Sequence, residues 1–492
     1  MFKVSDRLSQ LFRQKQTVLE SADRAKDFKT TRSTPTLNLS IVTQFYPPDY
    51  AATGQLIQEL ATQLSQQGID VHVFTGQPGY AFDNDTAPTL ERSPGLSVRR
   101  SRMTRLWPKR IRGKALNGLL FCFRAGLHLL KSCWRGDVLL LTSAPPFLPA
   151  LGYLANLYFD VPYIYLVYDL YPDVAIELKV TAPDSWIVRY WKTLNRKILQ
   201  NAKAIVVMSP TMKERTIAKC KGIADKISIV HNWADPTWIK PIPKAENWFV
   251  RQHQLADRFV VLYSGNLGRC HDVDTILAAA QLLQNEPIQF VFIGDGAKKT
   301  ICREKVDRSN LQNCLFLPYQ DKQVLPYSLT AGDLSLVSIA PGLEGTIAPS
   351  KLYGILASGR PVAAICESHS YLRPLLSDAG CGEAFAHGDG EGLARFIRTL
   401  AADPEKARCL GEAGRRYLES HFTPQIIAGQ YLQLLLPLGE RLKQAGLLCQ
   451  EQVMWVLETQ QTQQPRQRFG EILVREGILP RETVDFFCRS MG

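Results

Sequence analysis

Three short segments combine residue types that can hold an anion. In "SGNLGRCHD" (264–272), Gly265 and Gly268 follow an apolar run and precede a helical pattern that opens near Asp272. Main-chain amides in such a turn can approach a phosphate closely, and Arg269 adds a forked cation. "IGDGAKK" (293–299) repeats the device with Gly294 and Gly296. "APSKLYGILASGRPV" (348–362) enters a short helix through Ser350 and Lys351. A lysine is poorly placed at a helix N-terminus, where backbone dipoles already gather positive charge, unless an anion shares the site. Ser350, Lys351 and the first-turn amides, Leu352 among them, would then hold one phosphate. Each segment also has a plainer reading: glycines that permit a tight turn, or Ser350 as a cap with Lys351 in solvent. No segment decides between the two readings alone.

The elements that would position these residues follow a repeating pattern. "LNLSIVTQF" (37–45) reads as a buried strand, followed by a Pro/Gly loop and a helix with Leu56, Ile57, Leu60, Ala61 and Leu64 at helical spacing. Further strands are expected at "DVHVFTG", "DVLLLTS", "PYIYLVYD", "AIVVMS" and "ISIVHN". The pattern pauses in a Pro/Trp-containing stretch at 235–258 and restarts with "FVVLYSGNLG", "IQFVFIGDG", "CLFLP", "DLSLVS" and "PVAAI". The expectation is an α/β chain with two doubly wound domains, 37–235 and 236–437, and ligands at the carboxyl ends of strands in the cleft between them. Residues 1–36 read as an extension with an amphipathic helix (Val4, Leu8, Leu11, Phe12). Residues 438–492 contain "LGERLKQAGLLCQEQV" and "FGEILVREGILPRETV" at a period of 31, a duplicated helical module.

Bulk composition excludes several classes. With 492 residues, 45% hydrophobic and 21% charged, the chain has ordinary soluble-protein composition. Eleven scattered cysteines with no CxxC pair argue against a disulfide framework or zinc site and suit a reducing cytoplasm. The first twenty residues carry charges throughout, so no cleavable signal is expected. The apolar stretch 138–168 is interrupted by Pro145, Pro146, Pro149 and Asp160, which favours a buried strand, helix and strand over a membrane span. The net charge of +12 concentrates in 92–135, which holds nine Arg and three Lys, no acid, and interleaved residues such as Leu106, Trp107, Leu116 and Phe123. That mixture suits an anionic membrane surface and a peripheral location on the inner face of the plasma membrane, although a solvated basic face would share its composition. Nucleic acid is not expected, because the segment lacks a binding module.

In this order, "QFYPPDYAATGQLIQELATQL", "YDLYPDVAIEL", "IVHNWAD", "VVLYSGNLG", "FVFIGDG", "FLPYQ" and "PSKLYGILASGRPV" resemble the retaining glycosyltransferases of family 4. That family has the GT-B fold of two Rossmann-like domains, and the "DLYPD" and "PSKLY" versions are similar to bacterial enzymes of exopolysaccharide or lipid-linked repeat-unit synthesis. The resemblance implies transfer of a sugar from a nucleotide-sugar to a hydroxyl of a glycan or lipid-linked acceptor. It places the diphosphate on Gly265, Arg269, Ser350 and Lys351, with the glycines 294 and 296 and Asn266 nearby. The nucleobase would lie beside Leu317, within 315–318, and Gly54 and Gln55 would approach the donor phosphate and acceptor. Asp169 would position the acceptor hydroxyl, and Glu344 would stand in for a sugar-binding glutamate. The resemblance implies no metal or other cofactor, since the cationic side chains can take its place. Several positions depart from the family. Asn266 and His271 replace a cationic pair, Tyr168 replaces a histidine, and Gly354 stands where relatives often use a second glutamate. Those departures suit an alternative, a non-catalytic transferase-like protein controlled through its C-terminal module. That module resembles the N-terminal domain of type II secretion ATPases, which implies a cyclic di-GMP or protein partner at 438–492. Its second copy carries Arg468, but Pro437 stands at the matching place in the first.

Overall fold

Short apolar runs bounded by glycine and proline form strands covered on both faces, as parallel sheets require. The structure, a computed structural model, describes residues 37–49, 51–78, 87–101, 111–462 and 467–488. The expected N-terminal helix lies outside the described residues. The first half runs β1 (Asn38–Val42), α1 (Ala52–Gln66), β2 (Asp70–Thr75), β3 (Leu90–Ser93), β4 (Leu96–Arg100) and α2 (Ile111–Leu129). It continues through β5 (Val138–Thr142), α3 (Pro149–Phe159), β6 (Tyr163–Val167), α4 (Asp173–Glu177), α5 (Trp186–Asn201), β7 (Ala204–Val207), α6 (Pro210–Lys219) and β8 (Ile227–Ile229). These strands form one sheet in the order β3-β4-β2-β1-β5-β6-β7-β8. All pairs are parallel except the β3–β4 hairpin. Every residue of β5, β6 and β7 is buried.

The second half has α7 (Trp248–Gln252), β9 (Phe259–Ser264), α8 (Asp274–Leu282), β10 (Ile288–Ile293), α9 (Lys299–Arg308) and β11 (Cys314–Leu317). It continues with α10 (Leu325–Thr330), β12 (Leu334–Ser338), α11 (Lys351–Ser358), β13 (Val362–Ile365), α12 (Leu372–Ala379) and β14 (Gly382–Phe385). Its sheet is wholly parallel, in the order β11-β10-β9-β12-β13-β14. Helices α13 (Gly390–Ala402), α14 (Pro404–His421) and α15 (Pro424–Leu435) follow. Both sheets reverse direction next to their first strand, β1 or β9, so loops after β1, β5, β9 and β12 gather at a switch point.

The expected strands are all present, and three more appear. β3 and β4 form a hairpin around Pro94–Gly95, and their polar, half-exposed sequence gave no apolar run to read. β14 is only four residues long. Helix α15, expected to close the second domain, instead packs on α1 of the first half. Its apolar Ile427, Ala428, Tyr431 and Leu435 are buried there. The chain thus crosses between halves near 230–258 and again at 422–424, where the Ala234 amide donates to the Phe422 carbonyl at 3.3 Å.

The duplicated segment forms α16 (Leu438–Gln444), α17 (Gln450–Thr462), α18 (Phe469–Arg475) and α19 (Arg481–Cys488) around a small core of its own. The period-31 pairs meet in that core: Leu442 with Leu473, and Val453 with Val484, are all buried. Gly446 (φ 69) and Gly477 (φ 68) sit at matching left-handed turns after α16 and α18. Arg468 caps α18 through its main chain, the amide donating to Glu471 Oε2 at 2.9 Å. Among the described residues, no helix is long and apolar enough to cross a membrane.

Candidate active site

The glycine loops after β9 and β10 are held against each other. The Gly265 amide donates to the Ile293 carbonyl at 2.9 Å, and the Gly294 amide to Leu317 O at 3.0 Å. Gly294 has φ 134, and a Cβ there would lie 2.1 Å from the Gly265 carbonyl oxygen. At Gly296 (φ 145) it would lie 2.6 Å from the Leu267 carbonyl. Both glycines are therefore dictated by backbone meeting backbone, and the two turns form one surface. Asn266 and Arg269 are exposed on it, and Leu317 is buried at the end of β11. The Tyr319 ring lies against Gly294.

Lys351 points back onto this surface. Its Nζ lies 3.6 Å from the centroid of the Tyr263 ring, within cation–π range. The ammonium is buried and has no hydrogen-bond partner. It sits 3.6 Å from the place a Gly265 side chain would begin. Burial pulls its pKa down to about 7. An unpaired buried cation is costly, and a counter-charge at this position would offset that cost. Ser350 makes no side-chain capping bond, which leaves its hydroxyl uncommitted, whereas the Leu352 amide is 3.4 Å from the Pro349 carbonyl. Helix α11 then stops at Gly359 in the left-handed region, φ 65.

His271 occupies the same neighbourhood in its neutral form. Its Nδ1 lies 2.8 Å from the Ser338 carbonyl, which can only accept, so Nδ1 carries the proton and Nε2 a lone pair. Burial and the neighbouring Lys351 and Lys298 push its pKa down to about 3. Lys298 Nζ donates to the His271 carbonyl at 2.6 Å, and Lys299 Nζ to the Gly294 carbonyl at 2.8 Å.

The first half supplies a carboxylate. Asp169 follows β6, and both its amide and that of Tyr168 donate to Ser143 Oγ, at 3.0 and 3.1 Å. The Asp169 segment pairs with Ile347, and the Leu170 amide donates to the Thr346 carbonyl at 2.8 Å, so it abuts the loop that leads to Lys351. Desolvation raises the Asp169 carboxyl to about 6. Glu344 is 1% exposed and turns toward α6, where Oε1 accepts from Thr211 Oγ1 at 2.7 Å. Its Oε2 is buried without a partner. Gly54, in the first turn of α1, packs on the Phe45–Tyr46 backbone, where a Cβ would come within 3.0 Å, and Gln55 beside it is half-buried. Tyr168 is buried with its hydroxyl unpartnered.

Gly354 has a different character. A Cβ there would meet Leu329 Cδ1 at 3.5 Å, an ordinary contact. Glycine inside a helix is therefore unforced at this position. Gly354→Ala is expected to raise stability by about 0.5–1 kcal/mol, read as a higher urea midpoint at unchanged m.

Reasoning from sequence missed Ser143, Thr211 and Tyr263, all of which hold the named residues in place. Ser143 was open to discovery, since it ends the "DVLLLTS" strand at the edge where sites gather. Tyr263 and Thr211 carried no such signal. As a whole, cations and amides on one wall can stabilise a departing diphosphate, and a desolvated carboxylate on the other can orient a hydroxyl.

Both halves of the chain are similar to known proteins. Residues 52–233 match the family described as "Glycosyl transferase 4-like domain" and residues 245–417 the family "Glycosyl transferases group 1". WbjE of Pseudomonas aeruginosa, described as a glycosyltransferase, is 27% identical over 72% of this chain and 87% of its own length. WcaI of Escherichia coli, a glycosyl transferase assigned to colanic acid biosynthesis, is 25% identical over 67% of this chain and 83% of its own. Among solved structures, sucrose-phosphate synthase from Thermosynechococcus elongatus superposes with a TM-score of 0.65 at 20% identity, covering 81% of this chain and 98% of that one. Anabaena HepE in complex with UDP and glucose gives 0.61 at 15% identity, covering 81% and 99%. With both halves matched in order, each on its own α/β sheet, the chain is a glycosyltransferase of the GT-B type.

Proposed function

We propose that the enzyme moves a sugar, with retention of anomeric configuration, from a nucleoside-diphosphate sugar to a hydroxyl of a glycan or lipid-linked acceptor in bacterial polysaccharide or cell-envelope synthesis. The observation that carries this reading is the buried, unpartnered Lys351 ammonium beside Gly265. It supports a diphosphate lying between α11 and the glycine turns, with Arg269 and Ser350 at its edge. The leaving diphosphate gains negative charge as the glycosidic bond breaks, and fixed cations stabilise that charge most when it is fully developed. Asp169 then accepts a hydrogen bond from the incoming hydroxyl and aims it. In this reading no metal takes part, and transfer continues in excess chelator.

A thermal-shift screen of UDP-, GDP- and ADP-sugars tests the donor site. A cognate donor at about 100 times its dissociation constant stabilises the fold by about 2.7 kcal/mol. Absence of any shift across all three nucleotides, with none in isothermal titration, ends the proposal. Proton NMR of the first product formed reports the anomeric configuration, and inversion would remove the retaining mechanism alone.

A further inference from the structure

Three neighbouring helices in the first half carry apolar side chains on the side away from the core. On α2 and the turn after it, Leu116, Leu119, Phe123, Leu127 and Leu130 are exposed, at spacings of three and four residues that make one stripe. Phe121, Ala125 and Leu129 of the same segment are buried. A helix with apolar residues on both its buried and its exposed sides leaves water only a narrow polar strip. Helix α3 repeats this, with Leu154, Leu157, Tyr158 and Phe159 exposed over buried Gly152 and Ala155. At the start of α5, Trp186 is 72% exposed, with Ile187 and Tyr190 beside it. α2 packs on α3 and α3 on α5, so these exposed side chains lie on neighbouring helices, and grouped apolar exposure of this kind marks an interaction site.

The charge around it is mainly positive, although Asp160 and Asp184 are exposed at the end of α3 and before α5. None of the three helices contains an acid, while Arg189, Lys192, Arg196 and Lys197 are exposed on α5 and Lys131 follows α2. Arg135 places its guanidinium 3.9 Å from the Phe159 ring centroid. A second copy of the chain docked here about a twofold axis would set these cations against themselves. An anionic lipid surface complements them.

The face also adjoins the cleft. Trp191, buried under α5, stacks on Phe147 at 4.5 Å and Tyr171 at 5.6 Å. Phe147 lies in the loop after β5, and Tyr171 is two residues beyond Asp169. On the other flank, Gly118 of α2 sits against Pro145 of the same loop.

We infer that the α2–α3–α5 face lies on an anionic bilayer and presents the Asp169 side of the cleft to an acceptor held in that membrane. Leucine and aromatic side chains enter the headgroup boundary while the basic residues meet lipid phosphates. The surface is wider than the basic segment 92–135, because α3 and α5 supply much of it. The acceptor's position rests on the transferase reading, whereas docking of the face does not.

Flotation of the full-length protein with vesicles of phosphatidylglycerol mixed with phosphatidylcholine, against phosphatidylcholine alone, tests it. Binding is expected to the anionic vesicles and to weaken with salt. Phe123→Asp and Tyr158→Asp, at exposed positions, are each expected to weaken partitioning about tenfold. Both should leave the nucleotide-sugar thermal shift unchanged, which shows that the fold and donor site are intact. Failure to float with anionic vesicles, or flotation indifferent to both substitutions, overturns the inference. So does a dimer in sedimentation velocity that Phe123→Asp dissolves and vesicles do not displace. Vesicle binding without any nucleotide-sugar shift would instead remove the transferase reading and leave the surface standing.

Discussion

Lys351→Met lowers kcat/KM for the nucleotide-sugar by about 10²–10³-fold, the usual cost of removing one preorganised charge partner of a leaving group. Methionine keeps the stem over Tyr263 and deletes only the ammonium. The same substitution raises stability, because it removes a cation that is buried and unpaired. The sign follows from linkage. The folded pKa, about 7, is depressed below that of an unfolded lysine, so the unfolded chain binds more protons between the two values. The parent is therefore penalised at pH 7 and below, and the penalty fades as pH rises toward the unfolded value. A bound diphosphate reverses the preference and holds the ammonium charged. Donor affinity should thus weaken above pH 7, by up to about tenfold per pH unit, and Lys351→Met should lose that dependence. Calorimetric titration across pH, paired with urea unfolding, measures both. A variant that loses stability and activity together would mark Lys351 as a packing residue.

Asp169→Asn lowers kcat by about 10²–10³-fold and leaves donor affinity nearly unchanged if, as proposed, the carboxylate faces the acceptor. Asparagine preserves the shape and the main-chain bonds to Ser143. The carboxyl titrates at about 6, so kcat/KM should rise through that pH as the acceptor-orienting anion forms. With Lys351 required as a cation, the profile falls again above about 7. The variant keeps the alkaline limb and loses the acid one. Its stability changes too. A carboxyl whose folded pKa is raised makes folding less favourable as pH climbs through the interval between its unfolded and folded values, so Asp169→Asn is the more stable protein at neutral pH. A pH–rate series on parent and variant decides this, and an unshifted acid limb would remove Asp169 from the role.

Much of this was legible in the sequence, for physical reasons. Parallel strands buried on both faces leave unbroken apolar runs such as "VLLLT" and "YIYLV", and glycines at loop starts mark where backbone meets backbone. The β3–β4 hairpin was hidden because an edge pair with exposed, charged residues has no such run. At the site, Lys351 and Gly265 stood out through spacing. Tyr263 could not, since within "FVVLYS" it reads as one more core residue, and its ring matters only once α11 lays a lysine across it. Glu344 was noticed, but its direction was not readable. Whether it meets a sugar or Thr211 depends on how the two halves approach. The outward stripe of α2 was equally hidden, because a helix apolar on both sides does not announce which side the core takes.

The two neighbouring chain crossings at 230–258 and 422–424 act as a pivot. They are joined by the Ala234–Phe422 hydrogen bond and by the His231, Tyr353 and Phe422 rings, with His231 Nδ1 3.0 Å from the Tyr353 hydroxyl. The contacts of Leu170 with Thr346 and of Thr211 with Glu344 act as its clasp. A rotation about that pivot would have to undo the clasp. In doing so it would separate the segment that carries Asp169 from the loop that leads to Lys351.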